Sequence, residues 1–319
     1  MEQVLERWTS KVNTVIIGAT KEEGGTRASK VVVGGESTLP FLFFEGEIPH
    51  RPVIAMEVLD FPPSDWSEVL KEPFLDVLDN PIEWAKKCVQ EYKAELLCLT
   101  LKSIHPDFGE VDLERVSSTL SSILKAVGVP LIILGCGEAE RDNLVLPKCS
   151  EVAKGERCLI GSATQENYKT LTAACLADGH NIIAESPIDI NIAKQVNILI
   201  SEMGFDLNKI VINPTIGALG YGLEYAYSIM ERARLAGLSG DKMLSQPFIC
   251  FVGQEAWRAK EAKASQSEFP EWGEEKERGI IWEATTALAV LLAGADILVM
   301  RHPQAVKIVK ETIDKLMGG

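Results

Sequence analysis

Charged and polar side chains stand directly after several short apolar runs, where they could do chemistry. Glu57 lies near the end of one such run and Glu185 directly follows another, and two carboxylates could share acid–base work. Either of them could instead form an ion pair with Arg301 or Lys102, which is the commoner arrangement for a perturbed carboxylate. Asn213 follows another run and begins a glycine-rich segment. The sequence therefore predicts a cluster of polar groups and leaves its chemistry open.

Three further side chains each have two interpretations. His302 could be a ligand or an acid. Alternatively, beside Arg301, it could have no role beyond a hydrogen bond to a loop carbonyl, and we favour this second interpretation. Cys136 lies between two glycines, which suggests an exposed thiol, yet no neighbouring histidine supports a thiolate. Tyr221 could stack on a planar ligand or pack on the following helix. None of the three defines a reaction by itself.

The apolar runs are candidate strands that alternate with helical patterns from residue 52 onward. The strands are predicted at 53–58, 96–101, 131–134, 158–160, 182–184, 210–212, 248–252 and 297–300. The helices are predicted at 81–92, 113–127, 138–152, 167–178, 191–203, 223–236, 280–293 and 304–317. Eight strands alternating with eight helices predict an α/β fold, the (β/α)8 TIM barrel, over residues 52–319. An open doubly wound sheet is the alternative, but no G-x-G-x-x-G follows a strand.

An extension over residues 1–51 precedes this alternation. Residues 12–17 and 30–33 are two candidate strands with a glycine-containing turn region between them, so we predict an N-terminal β-hairpin. A hairpin in this position is expected to close the N-terminal end of the barrel. Phe41, Phe43 and Phe44 could supply apolar contact there.

A barrel would gather the ends of the strands into one mouth, where barrel proteins bind their ligands. Glycines in that region would allow a ligand or partner to approach the backbone closely. The segment 213–221 contains two of them and is predicted to lie at an interface. Loops 59–80 and 253–279 are long enough to be lids or partner surfaces. The candidate binding residues are Thr100, Lys102, Gly135, Cys136, Gly137, Glu185, Ser186, Asn213, Gly217, Gly220, Tyr221, Arg301 and His302.

Charge and composition exclude several classes of function. The net charge of −14 argues against binding nucleic acid or anionic lipid, because both require clustered lysine and arginine. No apolar run reaches the roughly 18 residues of a membrane span. The N-terminal sequence has no signal-peptide pattern, so a cytoplasmic location is predicted. The seven cysteines include no C-x-x-C pair, so we predict reduced thiols and no metal or iron–sulfur site in this chain.

Three segments resemble a known family. They are T-R-A-S-K-V-V-V-G-G-E-S-T-L-P-F at 26–41, N-P-T-I-G-A-L-G-Y-G-L-E-Y-A-Y-S-I-M-E-R at 213–232, and E-A-T-T-A-L-A-V-L-L-A-G-A-D-I-L-V-M-R-H-P at 283–303. They resemble the small subunit of the corrinoid/iron–sulfur protein, which is the delta subunit of acetyl-CoA decarbonylase/synthase, in its acetogen form. The resemblance extends from about residue 12 to the C-terminus.

The resemblance implies a barrel that pairs with a large subunit carrying a 4Fe–4S cluster and a cobalamin-binding domain. The corrin would lie between that domain and the barrel mouth. The heterodimer would carry a methyl group from methyltetrahydrofolate:corrinoid methyltransferase to acetyl-CoA synthase in the reductive acetyl-CoA (Wood–Ljungdahl) pathway. The chain itself would have no catalytic activity. The absence of C-x-x-C and of D-x-H-x-x-G, the usual cobalamin-binding histidine motif, agrees with cofactors held elsewhere.

Two alternatives remain. A pterin-dependent methyltransferase acting on methyltetrahydrofolate shares the barrel, but it holds its pterin with Asp and Asn side chains at several strand ends. Only Asn213, and Asp60 as a weaker match, fit that pattern here. A scaffold barrel with no ligand is the second alternative, and the fold alone does not choose among these functions.

Overall fold

The computed structural model describes residues 5–318. Residues 1–4 of the predicted extension and residue 319 of the predicted barrel lie outside the described residues. The strands are β1 (Val15–Ile17), β2 (Val31–Val33), β3 (Val53–Leu59), β4 (Leu96–Thr100), β5 (Leu131–Leu134), β6 (Leu159–Ala163), β7 (Asn181–Glu185), β8 (Ile210–Asn213), β9 (Phe248–Cys250) and β10 (Ala295–Met300).

The α-helices alternate with the strands from β3 onward. They are α1 (Glu68–Lys71), α2 (Pro81–Gln90), α3 (Leu113–Ala126), α4 (Ala139–Val152), α5 (Tyr168–Asp178), α6 (Ile190–Glu202), α7 (Leu223–Leu238), α8 (Val252–Ala256), α9 (Lys260–Lys263), α10 (Glu275–Leu292) and α11 (Pro303–Leu316). Strands β3 to β10 pair in parallel, and β10 closes the ring by pairing with β3. The predicted (β/α)8 barrel is confirmed, and the open sheet is wrong.

Short polar caps explain why the chain turns from strand to helix where it does. The side chains of Asn80, Asp112 and Asp189 accept backbone N–H bonds at the starts of α2, α3 and α6. Each cap satisfies a donor that the first helical turn leaves without a partner. The barrel strands are buried on both faces, which is why most of their residues are apolar, with Glu57 in β3 and Asp296 in β10 as buried exceptions.

Three boundaries near the mouth differ from the sequence prediction by two residues or more. The strand predicted at 158–160 continues to Ala163, so Gly161 and Ser162 lie inside β6. The strand predicted at 248–252 ends at Cys250, because Val252 already begins α8. Helix α10 begins at Glu275 rather than at residue 280. Its first turn carries Glu275 and Glu277, whose charges are favourable at a helix N-terminus. The apolar periodicity predicts only the part of α10 that packs on the barrel, so the polar first turn is absent from the predicted helix.

The N-terminal hairpin closes the bottom of the barrel, as predicted. Strands β1 and β2 pair in antiparallel register, with Val15 opposite Val33 and Ile17 opposite Val31. These four side chains belong to the same apolar cluster as the inward-facing residues of the barrel strands. Asn181, at the start of β7, donates a hydrogen bond of 2.8 Å to the carbonyl of Ile16.

The predicted role of the three phenylalanines is only partly correct. Phe41 packs against the core, whereas Phe43 and Phe44 remain exposed. The domain boundary between residues 51 and 52 stays a prediction. Over residues 5–318, no helix combines the length and the apolar character that crossing a bilayer requires.

Candidate functional site

The carboxyl ends of the barrel strands surround a cavity of about 490 Å³. Most of the candidate binding residues meet there, as the barrel predicts. Those that line the cavity are Thr100, Lys102, Gly135, Cys136, Gly137, Glu185, Asn213 and Arg301. Ser186, Gly217, Gly220, Tyr221 and His302 do not line it. Whether any of these residues binds a cofactor stays a prediction.

Glu57 is part of a buried ion pair at the floor of the mouth. Arg301 donates from Nε to one oxygen of Glu57, and the hydroxyl of Thr100 donates to the other at 2.7 Å. The guanidinium of Arg301 also lies 4.9 Å from the ring centroid of Trp66. Both oxygens of Glu57 therefore have protein partners, which favours a structural network over acid–base work for this carboxylate.

Glu185 has a different set of partners on the far wall. The amide of Asn213 donates to Glu185 Oε2 at 3.0 Å, and its carbonyl oxygen accepts from the backbone N–H of Thr215 at 3.1 Å. The hydroxyl of Thr215 donates to the carbonyl of Ser186 at 2.7 Å. Asn213 thus orients the start of the glycine-rich loop as well as facing the cavity. The two carboxylates singled out in the sequence belong to separate networks.

Asp142 is a buried carboxylate of the mouth that the sequence analysis missed. It lies on α4 and accepts from the backbone N–H of Cys136 at 2.8 Å and of Gly137 at 3.1 Å. A Cβ built on Gly135 would stand 2.2 Å from Asp142 Oδ1. Position 135 is therefore glycine because a side chain there would overlap the Asp142 carboxylate, and not because a ligand must approach the backbone. Burial raises the pKa of Asp142, while the two N–H bonds oppose that rise.

The thiol of Cys136 is half-buried beside this network. Burial raises its pKa to about 11. A thiol with such a pKa carries very little thiolate at neutral pH, so it is a poor nucleophile. The structure agrees with the sequence argument that no group activates this cysteine.

Glu283 connects three segments beneath the rim and was also missed. This fully buried side chain of α10 accepts from the backbone N–H of Arg301 at 2.6 Å and of His302 at 3.0 Å. It also accepts from the indole N–H of Trp257 at 2.8 Å. Burial raises the pKa of Glu283, and these hydrogen bonds oppose the rise. The carboxylate holds the end of β10 against the loop after β9.

His302 lies below the rim in a structural position, but its partner is a backbone N–H and not the predicted loop carbonyl. It is 1 % exposed, and its Nδ1 accepts from the backbone N–H of Gln304 at 3.2 Å, which caps α11. Burial and the nearby Lys276 lower the pKa of His302 to about 4, against the opposing effect of Glu72. The imidazole is therefore neutral near neutral pH and is used by the helix cap.

The glycine-rich loop is built around its own backbone. A Cβ on Gly217 would stand 2.2 Å from the carbonyl oxygen of Tyr221. Gly220 has a φ of +79°, which favours glycine. Tyr221 is 51 % exposed, and its hydroxyl donates to Glu261 on α9 at 2.9 Å. The first requirement for these glycines is thus the turn itself, and their contact with a partner stays a prediction.

The end of β6 and the loop after it supply cavity residues that are not among the candidate binding residues. Asn167 accepts from the backbone N–H of Thr164 at 2.7 Å and donates to the carbonyl of Ser162 at 3.1 Å. All three residues line the cavity. Their signal in the sequence is weak, because short polar residues after a strand equally indicate an ordinary turn.

The part of the chain that the structure describes contains no group of three or more His, Cys, Asp or Glu side chains arranged to hold a metal ion. Its cysteines are free thiols, all buried except Cys136. A metal centre held by these residues is not supported by their placement.

The fold and the site define a (β/α)8-barrel protein with a cavity of mixed polar and apolar lining at the carboxyl ends of its strands. A family model described as CO dehydrogenase/acetyl-CoA synthase delta subunit matches residues 14–313. The chain belongs to this delta-subunit family.

Relatives support this membership over nearly the whole chain. The acetyl-CoA decarbonylase/synthase complex subunit delta of Archaeoglobus fulgidus is 40 % identical over 99 % of this chain and 71 % of its own length. Subunit delta 1 of Methanosarcina thermophila is 36 % identical over 98 % of this chain and 72 % of its own length. Subunit delta of Methanocaldococcus jannaschii is 36 % identical over 97 % and 75 %.

Solved structures show the same barrel at low sequence identity. A dihydropteroate synthase from Coxiella burnetii in complex with pteroic acid has a TM-score of 0.59 and 10 % identity, covering 96 % of this chain and 100 % of that one. A dihydropteroate synthase from Xanthomonas albilineans has a TM-score of 0.57 and 14 % identity, covering 86 % and 96 %. At such identities the likeness concerns the fold alone.

Proposed function

We propose that this chain is the small subunit of a corrinoid methyl carrier. It would cover a cobalamin held by a large subunit, which also carries a 4Fe–4S cluster. The pair would accept a methyl group from methyltetrahydrofolate:corrinoid methyltransferase and deliver it to acetyl-CoA synthase, in the cytoplasm. The observation that carries the proposal is membership in the delta-subunit family together with an open barrel mouth that combines polar groups with apolar wall.

The residues at the mouth fit a cover over one face of a corrin. A cavity of about 490 Å³ is in the range that holds drug-sized ligands and is too small to enclose a corrin. Lys102, Gln254 and Lys263 line it and present donors that suit the amide side chains of a corrin rim. The other face and the nucleotide tail would then be held by the large subunit.

The histidines of the barrel also fit a cover that supplies no axial ligand. His302 uses Nδ1 to cap α11 and is buried beneath the rim. His180 precedes β7 at the opposite end of the barrel, where its ring nitrogens contact Ser150 and Cys158. Neither imidazole lines the mouth, and His105, in the loop after β4, does not line it either.

A reduced corrin supplies a strongly nucleophilic and easily oxidised metal centre that carries the methyl group. The chain's own contribution would be to exclude water and orient the bound group. Trp66 and Trp257 line the cavity and provide apolar wall. Glu57 is paired with Arg301, and burial keeps the Cys136 thiol protonated at neutral pH. Neither side chain is therefore suited to act as a base or a nucleophile. We therefore propose a binding subunit without catalytic activity of its own.

The test is to purify this chain alone and with the large subunit. Alone, it is expected to be folded and colourless, with neither corrin nor iron–sulfur absorbance. Adding the cobalamin-loaded large subunit should give a stable complex that accepts a methyl group from the methyltransferase. Stoichiometric cobalamin retained by the single chain through gel filtration would contradict the division of labour.

A parallel titration with methyltetrahydrofolate separates this proposal from a pterin-dependent methyltransferase. The isolated chain is expected to give no heat of binding in calorimetry. Saturable binding, together with methyl transfer to free cobalamin by this chain alone, would favour the methyltransferase instead. A corrin that stays equally exposed to oxidation with and without this chain would favour a scaffold.

A further inference from the structure

The outer face of α10 has no charged side chain over three turns. The residues between Gly279 and Ala293 that reach solvent are Ile281, Trp282, Thr285, Leu288, Ala289 and Leu292. Ile281 is 55 % exposed and Leu292 is 51 % exposed. The one charged residue in this stretch, Glu283, is fully buried on the opposite face. A solvated surface helix normally carries its charges outward, so this face is unusual.

The helix that follows in the barrel shows the ordinary pattern. Helix α11 exposes Lys307, Glu311 and Asp314 while it buries Val309 and Ile313. Both helices cover neighbouring parts of the same barrel and pack against each other. The uncharged outer face is therefore a property of α10 in particular, and a position on the outside of the barrel does not explain it.

A groove with an acidic edge lies along α7, beside this face. It has a volume of about 460 Å³, and its apolar wall includes Leu219, Leu223 and Tyr227. Glu224 and Glu231 line the same groove, and neither forms an ion pair within residues 5–318, since Arg234 on the same helix pairs with Glu36 and Asp296. The backbone N–H of Leu219 donates to the hydroxyl of Thr286 on α10 at 3.3 Å, which fixes the end of the groove against α10.

We propose that the outer face of α10 and the α7 groove together form the docking surface for the large corrinoid-carrying subunit. The part of that partner seated here would be apolar and flanked by lysine or arginine side chains. This inference rests on the proposed function, since it takes the large subunit as the occupant. The inference specifies the outer face of the barrel that contacts the large subunit, in addition to the mouth that covers the corrin.

Two observations favour this occupant over a second copy of the chain. Glu224 and Glu231 are acidic groups with no counter-ion among the described residues 5–318, and basic side chains would complement them. This chain has a net charge of −14, so a copy of it brings an excess of like charge. In addition, the segment from Asn213 at the mouth to Leu219 and Gly220 at the groove is continuous. A partner seated over the mouth can therefore reach the groove along this loop.

The test measures the Kd between this chain and the cobalamin-loaded large subunit. One variant combines Ile281→Lys with Leu292→Lys, and a second combines Glu224→Lys with Glu231→Lys. Leu176→Lys on α5 is the matched control, because Leu176 is also exposed (44 %) but lies on neither helix. Circular dichroism melts confirm that each variant is folded, and the charge-reversed variant decides the question if the apolar variant does not fold.

Each variant pair is expected to raise the Kd at least about tenfold, which is roughly 1.4 kcal/mol of binding free energy. The effect of the charge-reversed pair should shrink at high salt, and the control should bind like wild type. Unchanged Kd values for both folded variants would overturn the docking surface and leave the proposed function standing. A wild-type chain that fails to bind the large subunit would overturn both. Wild-type self-association that the variants abolish would assign the face to a second copy and overturn the inference.

Discussion

Glu283 shows how a single buried carboxylate can organise the rim of the mouth. Its two oxygens accept hydrogen bonds from the backbone N–H groups of Arg301 and His302 and from the indole of Trp257. Arg301 is thereby positioned to pair with Glu57 inside the cavity. The ion pair between Arg301 and Glu57 at the mouth thus depends on Glu283, which does not line the cavity.

The lowered pKa of His302 leads us to expect that the free energy of unfolding depends on pH in a specific range. Its pKa falls from 6.5 to about 4 in the folded protein, so the unfolded chain takes up the proton first as the pH falls. The stabilising contribution is complete above pH 6.5 and is lost as the pH falls from 6.5 towards 4. The free energy of unfolding should decline by at most about 1.4 kcal/mol per pH unit from this group.

The control is His302→Asn, because asparagine can cap α11 but does not titrate. Urea unfolding of both proteins between pH 7 and pH 4 isolates the contribution of the histidine. The variant should show a shallower decline than wild type. Parallel curves would mean that His302 does not titrate differently in the two states.

At the scale of elements, the loop between β8 and α7 depends on glycines for two different reasons. Gly217 leaves room for the backbone carbonyl of Tyr221, which a Cβ would approach to 2.2 Å. Gly220 needs its positive φ, but a Cβ there would contact only Trp282, at 3.9 Å. The loop then delivers the Tyr221 hydroxyl to Glu261 and joins two loops of the mouth.

Gly217→Ala should therefore be more damaging than Gly220→Ala. The second change is expected to cost about 1–2 kcal/mol, the penalty of a left-handed conformation for a residue with a Cβ. The first must also displace backbone, so the free energy of unfolding should fall further. Hydrogen exchange should increase over residues 214–222 while the barrel strands stay protected. Equal stability of the two variants would show that the loop can relax around Gly217.

For the whole molecule, the hairpin is part of the barrel core. The side chains of Val15, Ile17, Val31 and Val33 share one apolar cluster with the inward-facing residues of β3 to β10. A closed barrel has no free sheet edge, but its N-terminal end still requires an apolar cover. Folding of the extension and of the barrel should therefore be cooperative.

Ile17→Ala tests this cooperation. Ile17 is fully buried, so its truncation should lower the free energy of unfolding by about 2–5 kcal/mol in one transition. Ile16→Ala on the same strand is the control, since Ile16 points to the other face and is only partly buried. Thermal unfolding followed by circular dichroism measures both. A loss at Ile17 no larger than at Ile16 would show that the hairpin does not contribute to the core.

The sequence by itself determined the barrel and eight of the residues that line its mouth. Strands buried on both faces must be mostly apolar, so their periodic return predicts a parallel sheet, and the polar residues near the end of each strand must meet at one end. The delta-subunit family was also recognisable from three segments, and the match over residues 14–313 confirms it.

Only the tertiary structure decided which polar groups contact each other. Asp142 and Glu283 lie inside helices, where nothing in the local sequence distinguishes a buried carboxylate from a solvated one. The pairing of Glu57 with Arg301 joins residues from opposite ends of the chain, brought together because β10 closes on β3. Such contacts depend on barrel closure and side-chain packing, which are properties of the whole molecule rather than of any segment.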